Sequence, residues 1–281
     1  MKQGTRQGTR KVIVRDVEAE YRVGVVRAGN VGARMAAELA DLHEYALFCA
    51  HVYKAVPGHE NEPQPSPVAG WTWLESPAPL PPPRWRYRFS GFGCQVWYKQ
   101  PVGSAAVVLI VFRGTDRKQV GDWFSNFRWI TRLIPLTEDQ YEQTQRLVPE
   151  VVKRIREKFG EDTTIVAAGH SLGGGLAQQA AYAANHIKLV YAFDPSTVTG
   201  YYDIPRKARR LRCLNLRIYR VYEHGEILAY LRLLMKAVYP VRAKNPKIVE
   251  VRYNLLQGQL ISQHSMQDFA DKLRDIAAKQ A

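Results

Sequence analysis

Apolar and polar positions change period several times along the chain. From about residue 33 to 54, Leu39, Leu42, Ala46, Cys49 and Tyr53 recur at steps of three and four, which predicts an amphipathic helix. Gln95 to Lys99 then reads as a strand, after β-rich sequence from Trp85 to Phe92. Ala105-Ala-Val-Val-Leu-Ile-Val-Phe112 is a continuous apolar run, the pattern of a strand covered on both faces. Residues 138 to 159 return to the helical period, with Leu147, Val151 and Ile155 on the inner side. Ile165-Val-Ala-Ala168 predicts a buried strand, followed by a helix rich in small residues. Ile187-Lys-Leu-Val-Tyr-Ala-Phe193 and Arg217-Ile-Tyr-Arg-Val-Tyr222 predict two more strands. Strands alternating with helices imply right-handed crossovers and a mostly parallel sheet, so the fold class is α/β.

Three segments stand outside this alternation. Residues 1 to 30 carry charge without a lasting period, repeat Gly-Thr-Arg at Gly4 and Gly8, and predict a tail with one strand at Lys11 to Val14. Residues 57–83 hold nine of the sixteen prolines, including Pro81-Pro82-Pro83. Proline fixes φ and removes a donor, so this stretch predicts an irregular excursion, pinned on the surface by Trp71, Trp73 and Leu74. It is not a domain boundary, because the helix before it needs the sheet after it for a core. One domain over 31–281 is the expected organisation. In the third segment, 116–136, Trp123, Phe127, Ile130 and Ile134 recur at helical spacing opposite Asp122, Asn126, Arg128 and Arg132. An ordinary core-facing helix and a movable lid with an apolar underside both fit that stripe.

Composition narrows the classes. Lys and Arg number 40 against 26 Asp and Glu, a formal net charge of +14. That excess attracts anionic surfaces such as lipid headgroups or nucleic acid, and it also serves plain solubility. It is densest late, at Arg206, Lys207, Arg209, Arg210 and Arg212, then from Arg232 to Lys247 around an apolar stripe of Ile227, Leu231, Leu234 and Val238. A basic amphipathic helix there would suit an anionic membrane. Cys49, Cys94 and Cys213 are too few and scattered for a disulfide framework or a zinc site, and no metal is expected. The first residues lack an apolar signal core, and no apolar run is long enough to span a bilayer. A soluble protein is expected, cytoplasmic unless a route independent of a signal exports it.

The sharpest chemical pattern is Gly169-His170-Ser171-Leu172-Gly173-Gly174-Gly175, entered by a strand and left by a helix. Gly-x-Ser-x-Gly in that context marks a serine on a strained strand-to-helix turn, whose neighbours two before and two after must be nearly without side chain. Gly169 and Gly173 meet that demand, and Ser171 becomes the candidate nucleophile. A helix starting there has free amides that favour an oxyanion, which makes the Leu172 N–H a donor. Ala177, Ala180, Ala181 and Ala184 would let it approach the sheet closely. A serine hydroxyl needs a base. Of the later histidines, His186 falls at the wrong end of the sheet, and His224 lies in the loop that the family resemblance given below assigns to the acid. His264 opens a C-terminal helix striped by Met266, Phe269, Leu273 and Ile276, and is the candidate base.

Val111-Phe112-Arg113-Gly114-Thr115, then Asp122-Trp123-Phe124-Ser125-Asn126, then Gly-His-Ser-Leu-Gly-Gly occur in that order. The set resembles the class 3, or fungal-lipase-like, lipases of the α/β-hydrolase superfamily, across roughly residues 33 to 270. The resemblance implies an α/β-hydrolase fold with a lid, ester hydrolysis on lipids, no cofactor, and a second oxyanion donor at Thr115. Tyr219-Arg-Val-Tyr-Glu223-His224-Gly225-Glu226-Ile227-Leu228 is similar to the segment that carries the family's acid, which places it at Glu226. The family usually has aspartate there. Asp194, after the next strand, is the first alternative and Glu223 the second. The expected reaction is lipid acyl-ester hydrolysis of triacylglycerol-lipase type. A phospholipase on anionic membranes and a silent fold that binds lipid or nucleic acid are the alternatives, with nucleic acid the least favoured partner. Oligomeric state stays open.

Overall fold

The computed structural model describes residues 13–16, 41–54, 65–74, 93–114, 140–196, 198–223, 246–253 and 265–278. Its strands are β1 (Ile13–Asp16), β2 (Thr72–Trp73), β3 (Cys94–Lys99), β4 (Val107–Phe112), β5 (Thr164–His170), β6 (Ile187–Phe193), β7 (Arg217–Glu223) and β8 (Lys247–Tyr253). Its helices are α1 (Leu42–His51), α2 (Gln140–Phe159), α3 (Leu172–Ala183), α4 (Arg206–Arg212) and α5 (Met266–Ala278), with a 3-10 turn at Val52–Lys54 after α1. The strands form one eight-stranded sheet in the order β1-β8-β7-β6-β5-β4-β3-β2. From β4 through β8 every neighbouring pair is parallel, and β1, β2 and β3 join antiparallel at the two rims.

Two cores flank this sheet because successive side chains of a strand point to opposite faces. Val108, Ile110 and Phe112 of β4 face α2 and α3, together with Ile165, Val190, Ile218 and Ile248 of the later strands. Leu109 and Val111 face α1 and α5, together with Val166, Phe193, Tyr219, Val221 and Val249. Burying a side chain of this size contributes about 1.5–3 kcal/mol relative to exposure. The fully apolar β4, like the strands after it, is therefore shared by both layers. The helix α3 that follows β5 lies close, with Ala177, Ala180 and Ala181 completely buried. Helix α2 turns Val148, Val151, Val152 and Ile155 inward, while Leu147 is only half-buried, one residue out of phase with the expected stripe. A mostly parallel sheet covered by helices on both faces, with Ser171 between its central strand and a helix, is an α/β-hydrolase fold.

Trp71 and Leu74 sink into the two cores around β2, within the proline-rich excursion. β8 and α4 are additions to the elements expected from the pattern. β8 places Glu250 beside Arg220 of β7 in register. Glu250 is almost completely buried. Burial works against the Arg220 charge, but Tyr222, Tyr182 and Glu250 around it outweigh that and hold it protonated. Arg220 Nε also donates to Gln178 Oε1 of α3 at 3.0 Å, tying the helix after Ser171 to β7. No helix among the described residues is long and apolar enough to cross a membrane.

Candidate active site

Ser171 stands at the carboxyl end of β5, where the chain turns into α3. Its φ of 56° and ψ of −122° are a conformation that L-residues rarely adopt. The turn is over-determined by its neighbours, as such strain requires. Ser171 N–H donates to the Phe193 carbonyl at 3.0 Å. The Ser171 carbonyl receives the N–H groups of Gly174 at 3.1 Å, Gly175 at 3.4 Å and Ser196 at 2.9 Å. A Cβ on Gly169 would overlap the Gly173 carbonyl, and one on Gly173 would overlap the Phe112 carbonyl oxygen. The elbow therefore closes only with glycine at both places. Gly174 and Gly175 thus spend their amides on the turn itself, and Leu172, the first residue of α3, heads the helix at the point where amides lack intrahelical acceptors.

Ser171 is 7% exposed and His170, just before it, 5%. Tyr53, from the 3-10 turn after α1, reaches over the sheet edge, its hydroxyl 3.0 Å from His170 Nδ1. The same hydroxyl donates to the His170 carbonyl at 3.4 Å. Sequence pattern placed Tyr53 only as the last member of a helix stripe. An amphipathic tip on an otherwise apolar position was the available signal.

Of the acid candidates, Asp194 follows β6 directly. It is 1% exposed, has φ 39°, and its N–H donates to the Val221 carbonyl at 2.8 Å. Glu223 closes β7, but its side chain is not described, and Glu226 lies beyond that strand, outside the described residues. His264, Thr115 and the stripe of Trp123, Phe127, Ile130 and Ile134 also lie outside them. α5 begins right after the expected base, at Met266, with Ser265 Oγ accepting the Asp268 N–H at 3.3 Å. His186 sits at the start of β6, the opposite edge of the sheet from Ser171, with Arg156 Nη1 2.8 Å from its Nε2. Arg113, at the end of β4, is 6% exposed, a place that suits an anchor under the loop. Among the described residues no group of His, Cys, Asp or Glu is arranged to hold a metal ion.

Fold and elbow together define an α/β-hydrolase. Residues 44–230, more than half of the chain, match the family model described as "Phospholipase-like: Tle-like phospholipase domain". The chain belongs to that family. It is thereby a lipase-like protein whose general chemistry is lipid ester hydrolysis. The model spans β2 to β7 and so includes the whole elbow. Seven chains of solved structures match, among them the crystal structure of M37 lipase. That chain is 15% identical, with a TM-score of 0.44, over 85% of this chain and 80% of that one. None of the curated proteins matches.

Proposed function

We propose that the chain is a serine hydrolase that cleaves acyl esters of phospholipids through an acyl-enzyme on Ser171. The observation that carries this reading is the Ser171 backbone, held at φ 56° at the head of α3 by three hydrogen bonds to its carbonyl. Strain of that kind is kept where a side chain must be presented to a substrate. In the proposed reaction His264 takes the hydroxyl proton as Ser171 Oγ attacks the ester carbon. The N–H groups of Leu172 and Thr115 hold the oxyanion that forms. His264 then gives the proton to the departing alcohol, and water, activated the same way, releases the fatty acid. Glu226 is assigned to orient His264, with Asp194 the alternative and Glu223 after it. Asp194 directly follows β6, at the sheet edge that bears Ser171, and Glu226 comes three positions after Glu223 in the sequence. The stripe from Trp123 to Ile134 is assigned to a lid.

Family membership favours phospholipid, and the ordered motifs that resemble class 3 lipases favour triacylglycerol. The α4 cations do not decide between them. α4 leads into the amino end of β7, and Lys188, at the start of β6, donates to the carbonyls of Arg212 and Leu214. Those charges therefore lie at the edge opposite Ser171, and a bilayer docked there would meet the wrong side of the molecule. Ser171→Ala should abolish both fluorophosphonate labelling and p-nitrophenyl ester hydrolysis while the protein still folds. Equal labelling of the variant would sink the proposal. Fatty-acid release from phosphatidylglycerol vesicles and from triolein emulsions then separates the two substrates. Asn or Gln in place of Asp194, Glu223 and Glu226 in turn identifies the acid by the largest fall in turnover.

A further inference from the structure

Tyr53 belongs to α1's side of the sheet, packed against the core that α1 and α5 share. Its hydroxyl nevertheless ends at the junction of two other segments. It is 3.0 Å from His170 Nδ1 and donates to the His170 carbonyl at 3.4 Å. The rings stand edge to face, centroids 5.8 Å apart at 74°. At the end of β4, a Cβ on Gly114 would fall on this hydroxyl, 2.5 Å from the His170 carbonyl oxygen and 3.3 Å from the Gly173 nitrogen. The end of β4, the elbow and the turn after α1 thus meet around one phenolic oxygen. Gly114 immediately precedes Thr115, and His170 immediately precedes Ser171.

We propose that Tyr53 is a positioning residue of the hydrolytic site, acting through His170. The inference rests on the proposed function above and adds a residue to it. Filling space at this point would need only the ring, which phenylalanine supplies. The hydroxyl adds a fixed tie between a strained elbow and a helix on the far face. Strain at Ser171 persists only while the backbone before it is held, and the His170 ring and carbonyl are what Tyr53 holds. A nucleophile displaced by about 1 Å from its attack geometry loses about 10²-fold in rate. The tie acts on the reacting geometry rather than on the binding of the acyl chain, so the loss belongs in kcat rather than in KM.

The test uses the full chain and a water-soluble p-nitrophenyl ester, with the rate of fluorophosphonate labelling as a second readout. Tyr53→Phe should lower kcat and the labelling rate by about 10- to 100-fold, with KM changed less than about twofold and thermal stability little altered. His170→Leu removes the nitrogen that Tyr53 meets. In that background, where only the longer contact to the residue-170 carbonyl remains, Tyr53→Phe should cost clearly less than in the wild type, the non-additivity of two groups acting as one. His170→Asn, whose side-chain amide can donate or accept near the position of Nδ1, should restore part of the dependence on Tyr53. Three results would overturn the inference: an unchanged kcat in Tyr53→Phe, a fall in kcat matched by a rise in KM, or an equal cost of Tyr53→Phe with and without His170. A wild type that labels at Ser171, with Tyr53→Phe labelling equally fast, overturns the inference and leaves the proposed function standing. A wild type that does not label overturns both.

Discussion

Replacing Ser171 by glycine should leave a more stable protein than replacing it by alanine, although both variants lack the hydroxyl. The φ of 56° and ψ of −122° at this position cost an L-residue about 1–3 kcal/mol. Glycine adopts φ above zero almost freely, so Ser171→Gly releases that strain and Ser171→Ala keeps it. Against this, glycine gives the unfolded chain more freedom, a loss of about 0.4–1 kcal/mol. The remainder is centred on about 1 kcal/mol in favour of glycine. For a domain of this size such a difference raises Tm by about 2–4 °C. The bonds that lock the turn use backbone atoms only, the Ser171 carbonyl and N–H, and both variants keep them. Paired thermal melts and urea titrations at fixed protein concentration measure the difference. An alanine variant as stable as the glycine variant, or more so, would refute the idea that the elbow stores strain at Ser171.

Two further outcomes follow from ionisable groups away from the site. Burial, then Arg156 and Lys188, hold the His186 imidazole below its ordinary 6.5, so the folded state resists protonating it. Its contribution to stability is complete above that ordinary value and is withdrawn as pH falls below it. His186→Asn should therefore lose less stability than the wild type between about pH 7 and pH 5, measured by denaturant midpoints, and an identical pH profile would refute this. Burial likewise raises the Cys49 thiol, and it pushes the Cys213 thiol up to about 11, against the opposing pull of Arg209 and Lys188. A native chain should accordingly show one fast thiol towards Ellman's reagent, the half-buried Cys94, with Cys49 and Cys213 reacting on unfolding.

The sheet was legible wherever local pattern and tertiary environment agree. Val107–Phe112 is apolar at every position because both faces are covered, and that alone marks it as interior to the sheet. The elbow was legible because close approach leaves a mark in sequence: only glycine fits where Gly169 and Gly173 meet backbone. β8 was not. Its Glu250 and Arg252 give an alternation that resembles a surface segment, and nothing local says that Glu250 is buried beside Arg220. β1 was expected as a strand near its place, but its partner lies at the other end of the chain, and pairing at such separation has no local signature. Tyr53 and His170 are 117 positions apart, so their contact was invisible although both residues were noted. The Leu147 stripe slipped by one residue because α2 presents both Val151 and Val152 to the core, a wider face than a three-four spacing isolates.

The two rims of the sheet carry a consequence for how the molecule comes apart. One is closed by the four residues of β1 against β8, the other by the two residues of β2 against β3. Short antiparallel rim strands deny neighbouring molecules a long unpaired edge to copy. They also hold the fewest hydrogen bonds, so the amides of β8 and β3 that face them should exchange with solvent long before those of β5 and β6. Peeling β1 away would uncover the four residues of β8 that it covers and leave that seven-residue strand as a bare edge, and β-strand addition between copies would start there, while the elbow, three strands inward, kept its geometry.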